Sequence, residues 1–461
     1  MSISAGTYTR DELQRIIKAY DVRGVVGEDI TVPFVRDLGE AYGELLRHEG
    51  ETNLSIGYDM RPSSPELAQA FAEGAAARGL NVDIIGLAST DELYYAAGSR
   101  NSAGAMFTAS HNPAKYNGIK LCRAGATPVG QESGLREIIN YLVEGLDDLD
   151  VEPGNITSSD ILSDYAQHLR ELVDLQNIRP LVVAVDAANG MAGLTVPEVF
   201  RGLPIELKPL YFELDGTFPN HEANPLDPKN LVDLQKFTPE VGADIGLAFD
   251  GDADRCFVVD EKGQPVSPSA ITGLVAKRYL ATNPGAKIIH NLITSRAVPE
   301  IISENGGTAI RTRVGHSFIK ATMAETGATF GGEHSAHYYF ADFYNADSGI
   351  IAALHVLAAL GEGTQQLSQL MAEYTRYAAS GEINSTVADQ CAATQAVLDA
   401  FADRIAEVDE LDGVTVSLKG TPAWFNLRAS NTEPLLRLNV EAPTKTEVDH
   451  LVEEILGIIR N

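Results

Sequence analysis

Only three cysteines, Cys122, Cys256 and Cys391, occur in 461 residues, far apart and in no ligand-like pair. Neither a disulfide scaffold nor a thiolate zinc site is expected, and a reducing, cytoplasmic setting fits. Basic residues are scarce too: 35 Lys and Arg face 64 Asp and Glu, a formal charge of -29. The average surface therefore repels nucleic acid and anionic lipid, and a small phosphorylated substrate would need a local concentration of Arg, Lys and His. No apolar run reaches about 18 residues, so no membrane span is expected. The opening MSISAGTYTRDELQ meets charged residues before any apolar run that could act as a signal peptide. Nothing in the sequence points to an obligate protein partner. The Gly-x-Ser-x-Gly elbow of α/β-hydrolases is missing around Ser110, which has Thr108 and Asn112 two residues away on either side.

Hydrophobic residues make up 44% of the chain, enough at this length to fill more than one core. Three stretches share one pattern of apolar strand, polar loop and helix, which belongs to a parallel or mixed sheet with helices over its faces. In the first, Leu54–Gly57 reads as a strand. Ser64 then serves as N-cap before Pro65 and a helix closing near Gly79, and a second strand follows at 81–87. The pattern returns at 181–212 and 286–314. The last section differs: strands at 423–430 and 435–442 precede a helix whose Val448, Leu451, Val452, Ile455 and Ile459 form one apolar stripe. The fold class is therefore α/β, with three similarly built mixed-sheet α/β domains at 1–148, 155–261 and 262–378 and a smaller α+β domain at 385–461. The seams are placed at charged or Gly- and Pro-rich stretches.

Two loops carry chemistry. Asp250, Asp252 and Asp254 fall within five residues between two strand-like runs. Carboxylates so crowded resist ionisation unless a cation neutralises them, and Gly251 lets the backbone curl around one. Glu261 stands twelfth from Asp250 as in a calcium EF-hand, but Arg255 replaces the glycine at position six and strands flank the loop. Magnesium, which takes few carboxylates and keeps positions for phosphate oxygen or water, is the expected ion. Arg255 is placed to handle an anion there. The plain alternative is a solvated acidic turn. The second loop, TASHNP (108–113), brings Ser110, His111 and Pro113 together ahead of Lys120. It suits a phosphorylated serine with Lys120 and His111 donating to its oxygens, against the alternative of an ordinary polar turn. Adjacent side chains leave the backbone in different directions, so the adjacency of Ser110 and His111 is poor evidence for a nucleophile-base contact.

Five motifs in order, Tyr20–Gly24 (YDVRG), TASHNP, DGDADR (250–255), GEHSAH (332–337) and RASNTEP (428–434), make the chain resemble the α-D-phosphohexomutase family. The likeness implies four domains around a central cleft. It implies that Ser110 is the phosphoserine of the active enzyme and that magnesium is held by Asp250, Asp252, Asp254 and a phosphoserine oxygen. Glu333 and Ser335 would then contact sugar hydroxyls, and Arg428, Ser430, Asn431 and Thr432 would hold the phosphate that is not reacting. Arg23, Lys120, Arg255, His316 and His337 would line the reacting end, with His111 beside Ser110. His337 and Lys120 are both candidates for the general base. His334 and His337 lack a third zinc ligand at recognisable spacing.

The implied reaction passes the Ser110 phosphoryl group to a hexose monophosphate through a hexose 1,6-bisphosphate. GEHSAH is similar to the loop of the phosphomannomutase and phosphoglucomutase branch. Mannose 1-phosphate and mannose 6-phosphate are thus the expected pair, with glucose phosphates beside them and glucosamine phosphate as the alternative. Ala336 stands where that loop often has glycine. A metal-dependent phosphomonoesterase would not need a second phosphate cradle, and a non-enzymatic sugar-phosphate sensor would leave the triple carboxylate beside the serine unexplained.

Overall fold

The first strand forms as Asn53–Tyr58, followed by the helix Ser64–Ala77 and the strand Asn81–Leu87. Ser64 is not the N-cap. Ser63 occupies that position without a side-chain cap bond. The Ser64 hydroxyl donates instead to Asp59 Oδ1 at 2.7 Å and accepts from Asn117 Nδ2 at 2.9 Å. A buried carboxylate is the stronger competitor for that hydroxyl. Gly79 follows the helix at φ +88°, the left-handed stop expected of it.

The computed structural model describes residues 3–429 and 435–460. It divides into two units, Met1–Val266 with Ser335–Ser368, and Ser267–His334 with Gln369–Asn461. Among the described residues no helix is long and apolar enough to cross a membrane.

In the first unit, one sheet runs in the order Val22–Val25, Tyr116–Arg123, Ala103–Phe107, Asn53–Tyr58, Asn81–Leu87, Ile156–Ser158. The three strands Ala103–Phe107, Asn53–Tyr58 and Asn81–Leu87 are mutually parallel, while Tyr116–Arg123 returns antiparallel. A second sheet places Leu181–Asp186 between the parallel strands Ile205–Leu210 and Ile245–Phe249, with Cys256–Asp260 antiparallel beyond. Its central run IGLAF is buried at every position, as a strand covered on both faces must be. The hairpin Tyr338–Phe340 and Ala346–Asp347 also belongs to this unit.

The second unit holds the parallel strands Thr308–Thr312, Lys287–Asn291 and Phe330–Gly332. It also holds an antiparallel sheet ordered Ala378–Ala379, Leu435–Ala442, Trp424–Ala429, Val414–Leu418, Ile405–Asp409. The closing helix Lys445–Ile459 buries Val448, Leu451, Ile455 and Ile459 against Phe425, Leu427 and Leu438. The mixed α/β class and the α+β end of the chain follow the sequence pattern.

One helix start in the first unit has a measurable consequence. The helix Thr90–Ser99 opens with a capping box: Ser89 Oγ accepts from Glu92 N at 3.3 Å and Ser89 N donates to Glu92 Oε2 at 3.4 Å. Burial, with the neighbouring Asp91 charge, raises the Glu92 carboxyl from 4.5 to about 8. Between those values the folded chain holds a proton that the unfolded chain releases, so this group erodes stability as pH rises from about 4.5 to about 8. Glu92→Gln keeps an acceptor for Ser89 and removes the ionisation. The variant should show a shallower fall in unfolding free energy from pH 5 to 8 in urea titrations. Parallel curves for variant and wild type would contradict this.

Candidate active site

Three adjacent parallel strands end on the same edge of the first sheet, and the loops after them supply Asp59 and Arg61, Ser89 and Thr90, and Thr108 to Asn112. Carboxyl ends of parallel strands are where such sheets place ligands. Arg61, only 1% exposed, fastens the serine loop. Its guanidinium donates to the carbonyls of Ser110 (3.0 Å), Asn112 (2.7 Å), Pro113 (3.0 Å) and Tyr116 (2.9 Å) and to Asp59 Oδ2 (3.1 Å). Thr108 Oγ1 accepts from Ser110 N at 2.9 Å. Ser110 is held at φ +48°, left-handed backbone that costs a non-glycine residue about 1–2 kcal/mol. With that twist Ser110 Oγ lies 3.3 Å from His111 Nδ1, a contact that adjacency in sequence alone does not establish. The usual divergence of neighbouring side chains assumes ordinary strand or helix backbone, which Ser110 does not have.

The acidic loop joins the antiparallel strands Ile245–Phe249 and Cys256–Asp260. Asp250, Asp252 and Asp254 are all buried, and one oxygen of each lies within 4.8 Å of the others. Ser110 Oγ donates to Asp250 Oδ2 at 2.7 Å across 140 positions of sequence. Gly251 permits this approach, since a Cβ there would sit 2.5 Å from the Ser110 carbonyl oxygen. Lys120 Nζ bridges Asp252 Oδ2 (2.7 Å) and Asp254 Oδ2 (2.6 Å). Arg255 Nε reaches Asp250 Oδ2 at 2.9 Å, and its Nη2 reaches Ser110 Oγ at 3.2 Å and contacts His111 Nδ1.

Lys120 and Arg255 pair with the three carboxylates, but Asp252 Oδ1 and Asp254 Oδ1 are buried without a hydrogen-bond partner. Burial pushes Asp250 well above the usual carboxylate range in spite of Arg255, with Asp254 and Asp252 adding to the rise. Against burial, Lys120 and His337 hold Asp254 below that range. Orphaned, clustered carboxylate oxygens are the donor set of a hard divalent cation, so the residues fit one. Burial opposes the Lys120 ammonium, yet Asp252 and Asp254 hold its pKa well above the ordinary value. His111 goes the other way: burial, then Arg255 and Arg23, depress it to about 2, so its imidazole is neutral at physiological pH.

The other expected residues fall in both units. In the first, Arg23 Nη1 donates to Asn112 Oδ1 at 2.9 Å, bracing the serine loop. An isolated antiparallel bridge joins Arg255 to His337, whose Nε2 lies 3.7 Å from Asp254 Oδ1 and whose Nδ1 lies 3.1 Å from Ser335 Oγ. Thus Ser110, His111, Lys120, the three aspartates, Arg255, Arg23, Ser335 and His337 converge. In the second unit, Glu333 Oε1 accepts from Asn291 Nδ2 and Gly315 N, both at 3.2 Å. Arg428 Nη2 lies 3.4 Å from Glu382 Oε2. The His316 side chain and Ser430, Asn431 and Thr432 lie outside the described residues.

Family models match most of the chain. Phosphoglucomutase/phosphomannomutase alpha/beta/alpha domain I matches residues 14–145, domain II 163–263, domain III 267–377 and the C-terminal domain 382–458. The chain belongs to the phosphoglucomutase/phosphomannomutase family. It is 40% identical over 436 residues to a phosphomannomutase of Salmonella montevideo, covering 92% of this chain and 94% of that one. A phosphomannomutase/phosphoglucomutase of Pseudomonas putida is 36% identical over 442 residues, with 95% and 93% covered. Among solved structures, a phosphoglucomutase/phosphomannomutase family protein from Burkholderia thailandensis superposes with a TM-score of 0.85 at 31% identity, covering 97% and 98% of the two chains.

The enzyme is therefore an isomerase of the phosphohexomutase class, metal-dependent as its family is, and its acidic loop forms a carboxylate cluster whose geometry could hold a metal ion. Several residues around that cluster were not read from sequence. Arg61 fastens the serine loop beside it, Thr90 touches its Asp252, and Asp347 lies with Asp254 and His337 in a group whose ligand atoms are within 4.8 Å of one another. Asn291 meets Glu333 in the second unit. The available signal was positional: Asp59 to Arg61, Ser89 to Thr90 and Asn291 all end or follow parallel strands of apolar sequence.

Proposed function

We propose that this phosphohexomutase interconverts mannose 1-phosphate and mannose 6-phosphate, with glucose phosphates as further substrates, by passing a phosphoryl group through Ser110. The observation that carries the reading is the Ser110 hydroxyl 2.7 Å from Asp250 and 3.2 Å from the Arg255 guanidinium, within a buried triple-carboxylate cluster. Mg2+ held by Asp250, Asp252, Asp254 and a Ser110 oxygen would supply Lewis-acid stabilisation of charge on the phosphoryl oxygens.

The chain's own groups do the rest. The Ser110 Oγ–P bond breaks as a sugar hydroxyl oxygen bonds to phosphorus, giving a hexose 1,6-bisphosphate, which then returns its other phosphoryl group to Ser110. Arg255 donates to the serine oxygen on which charge develops, and the neutral His111 lies against both. His337, whose Nε2 lies 3.7 Å from Asp254 Oδ1, and Lys120, which bridges Asp252 and Asp254, are the two candidates for general base to the sugar hydroxyl. Loss of one ionisation limb in the pH-rate profile of a single substitution identifies which acts. Arg23 steadies the serine loop. Glu333, Ser335 and His316 are assigned to the sugar, and Arg428, Ser430, Asn431 and Thr432 to the phosphate that is not transferred, on the strength of the family resemblance. The proposed working parts are four domains at 1–148, 155–261, 262–378 and 385–461, in a cytoplasmic enzyme activated by hexose 1,6-bisphosphate.

Mannose and glucose differ only at C2, a contrast worth about 1–3 kcal/mol of discrimination. The test compares initial rates on mannose 1-phosphate, glucose 1-phosphate and glucosamine 1-phosphate, while free phosphate is followed in the same reactions. Mannose is expected to be fastest, glucose second, and phosphate release negligible. A dominant glucosamine rate would overturn the substrate, and phosphate without 6-phosphate would mark a phosphomonoesterase.

A further inference from the structure

Behind the acidic loop, the helix Thr90–Ser99 begins in direct contact with one of its carboxylates. Thr90 is fully buried. Its backbone N–H donates to the Asp252 carbonyl at 3.0 Å, and its Oγ1 donates to Asp252 Oδ2 at 2.6 Å. Lys120 Nζ reaches the same Oδ2 at 2.7 Å and lies 3.4 Å from Thr90 Oγ1. Two donors therefore hold one oxygen of Asp252, while the other, Oδ1, is buried without a hydrogen-bond partner. A carboxylate anchored by Oδ2 alone has its rotation fixed, and Oδ1 is the atom it presents.

The anchor is itself immobilised. Asp91, next in the chain and fully buried, accepts from Ser89 Oγ on one oxygen and from Tyr165 OH (2.8 Å) and Ser348 Oγ (2.6 Å) on the other. Ser348 in turn caps the helix Gly349–Glu362, accepting from Ile351 N at 3.1 Å. Thr90 thus stands on a helix start pinned from three sides.

We propose that Thr90 is a positioning residue for the divalent cation: by holding Asp252 Oδ2 it aims Asp252 Oδ1 at the ion, raising metal affinity without touching substrate. Groups behind metal ligands commonly contribute roughly 10–100-fold in affinity. The inference rests on the metal-dependent reading of Ser110 and the acidic loop.

The test is Thr90→Val, which keeps the side-chain shape and deletes the hydroxyl, beside Thr90→Ser, which restores it. Mg2+ binding to the purified full chain is measured by calorimetry, and Mn2+ binding by electron paramagnetic resonance. Thr90→Val should bind either ion roughly 10–100-fold more weakly, Thr90→Ser should return to near wild type, and the KM for hexose phosphate should be unchanged. Wild-type affinity in Thr90→Val would overturn the proposal, and so would a defect that serine fails to repair, because that would be a packing effect. Metal binding is read without turnover. A wild type that binds the ion yet isomerises no hexose phosphate would therefore remove the functional reading and leave this inference standing.

Discussion

Replacing Ser110 by alanine is expected to lower the mutase kcat by at least ~10^3-fold, because it removes the hydroxyl proposed to carry the phosphoryl between half-reactions. The hydroxyl lies 2.7 Å from Asp250, 3.2 Å from Arg255 and 3.3 Å from His111. Its loss removes the acceptor but leaves Asp250 paired with Arg255 Nε at 2.9 Å, so the loop should remain folded. Coupled detection of hexose 6-phosphate reads the rate. Intact-mass analysis after exposure to hexose 1,6-bisphosphate reads the modification: wild type should gain one phosphoryl group and the variant none. Undiminished turnover in the variant would refute the role given to Ser110.

Arg61→Ala should produce the largest loss of stability. Its guanidinium serves four carbonyls of the serine loop and the buried Asp59, so truncation leaves those acceptors and an anion without their donor. Breaking a buried charged pair of this kind costs about 3–5 kcal/mol, which should lower the melting transition of the first unit by roughly 10 °C. Arg61→Lys separates two effects. A single ammonium can stay beside Asp59 but cannot fan out to four carbonyls, so much of the stability should return while turnover falls roughly 10–100-fold through a displaced Ser110. Unfolding of Arg61→Ala within about 1 kcal/mol of wild type would contradict the clamp.

Legibility followed distance along the chain. The alternation of strands and helices depends on near neighbours, and Leu54–Gly57 and 81–87 both formed within a residue or so of expectation. The acidic triad was readable because its three carboxylates sit within five residues and crowd one another whatever the rest of the chain does. Ser64 was misplaced by one position because its hydroxyl is taken by Asp59 and Asn117, and the latter is 53 residues away. Thr90 carries no local mark of its role, for its partner Asp252 is 162 residues distant.

By itself the sequence determined the fold class, the crowding of the three aspartates and the family to which the enzyme belongs, since these rest on residue type and short spacing. Only the tertiary structure decided that Ser110 is turned toward His111, that Lys120 bridges Asp252 and Asp254, and that Arg61 and Thr90 stand behind the loops. Those facts depend on which strand ends become neighbours when the sheet closes, and hydrogen bonds spanning 49 to 162 residues have no signature in any local window.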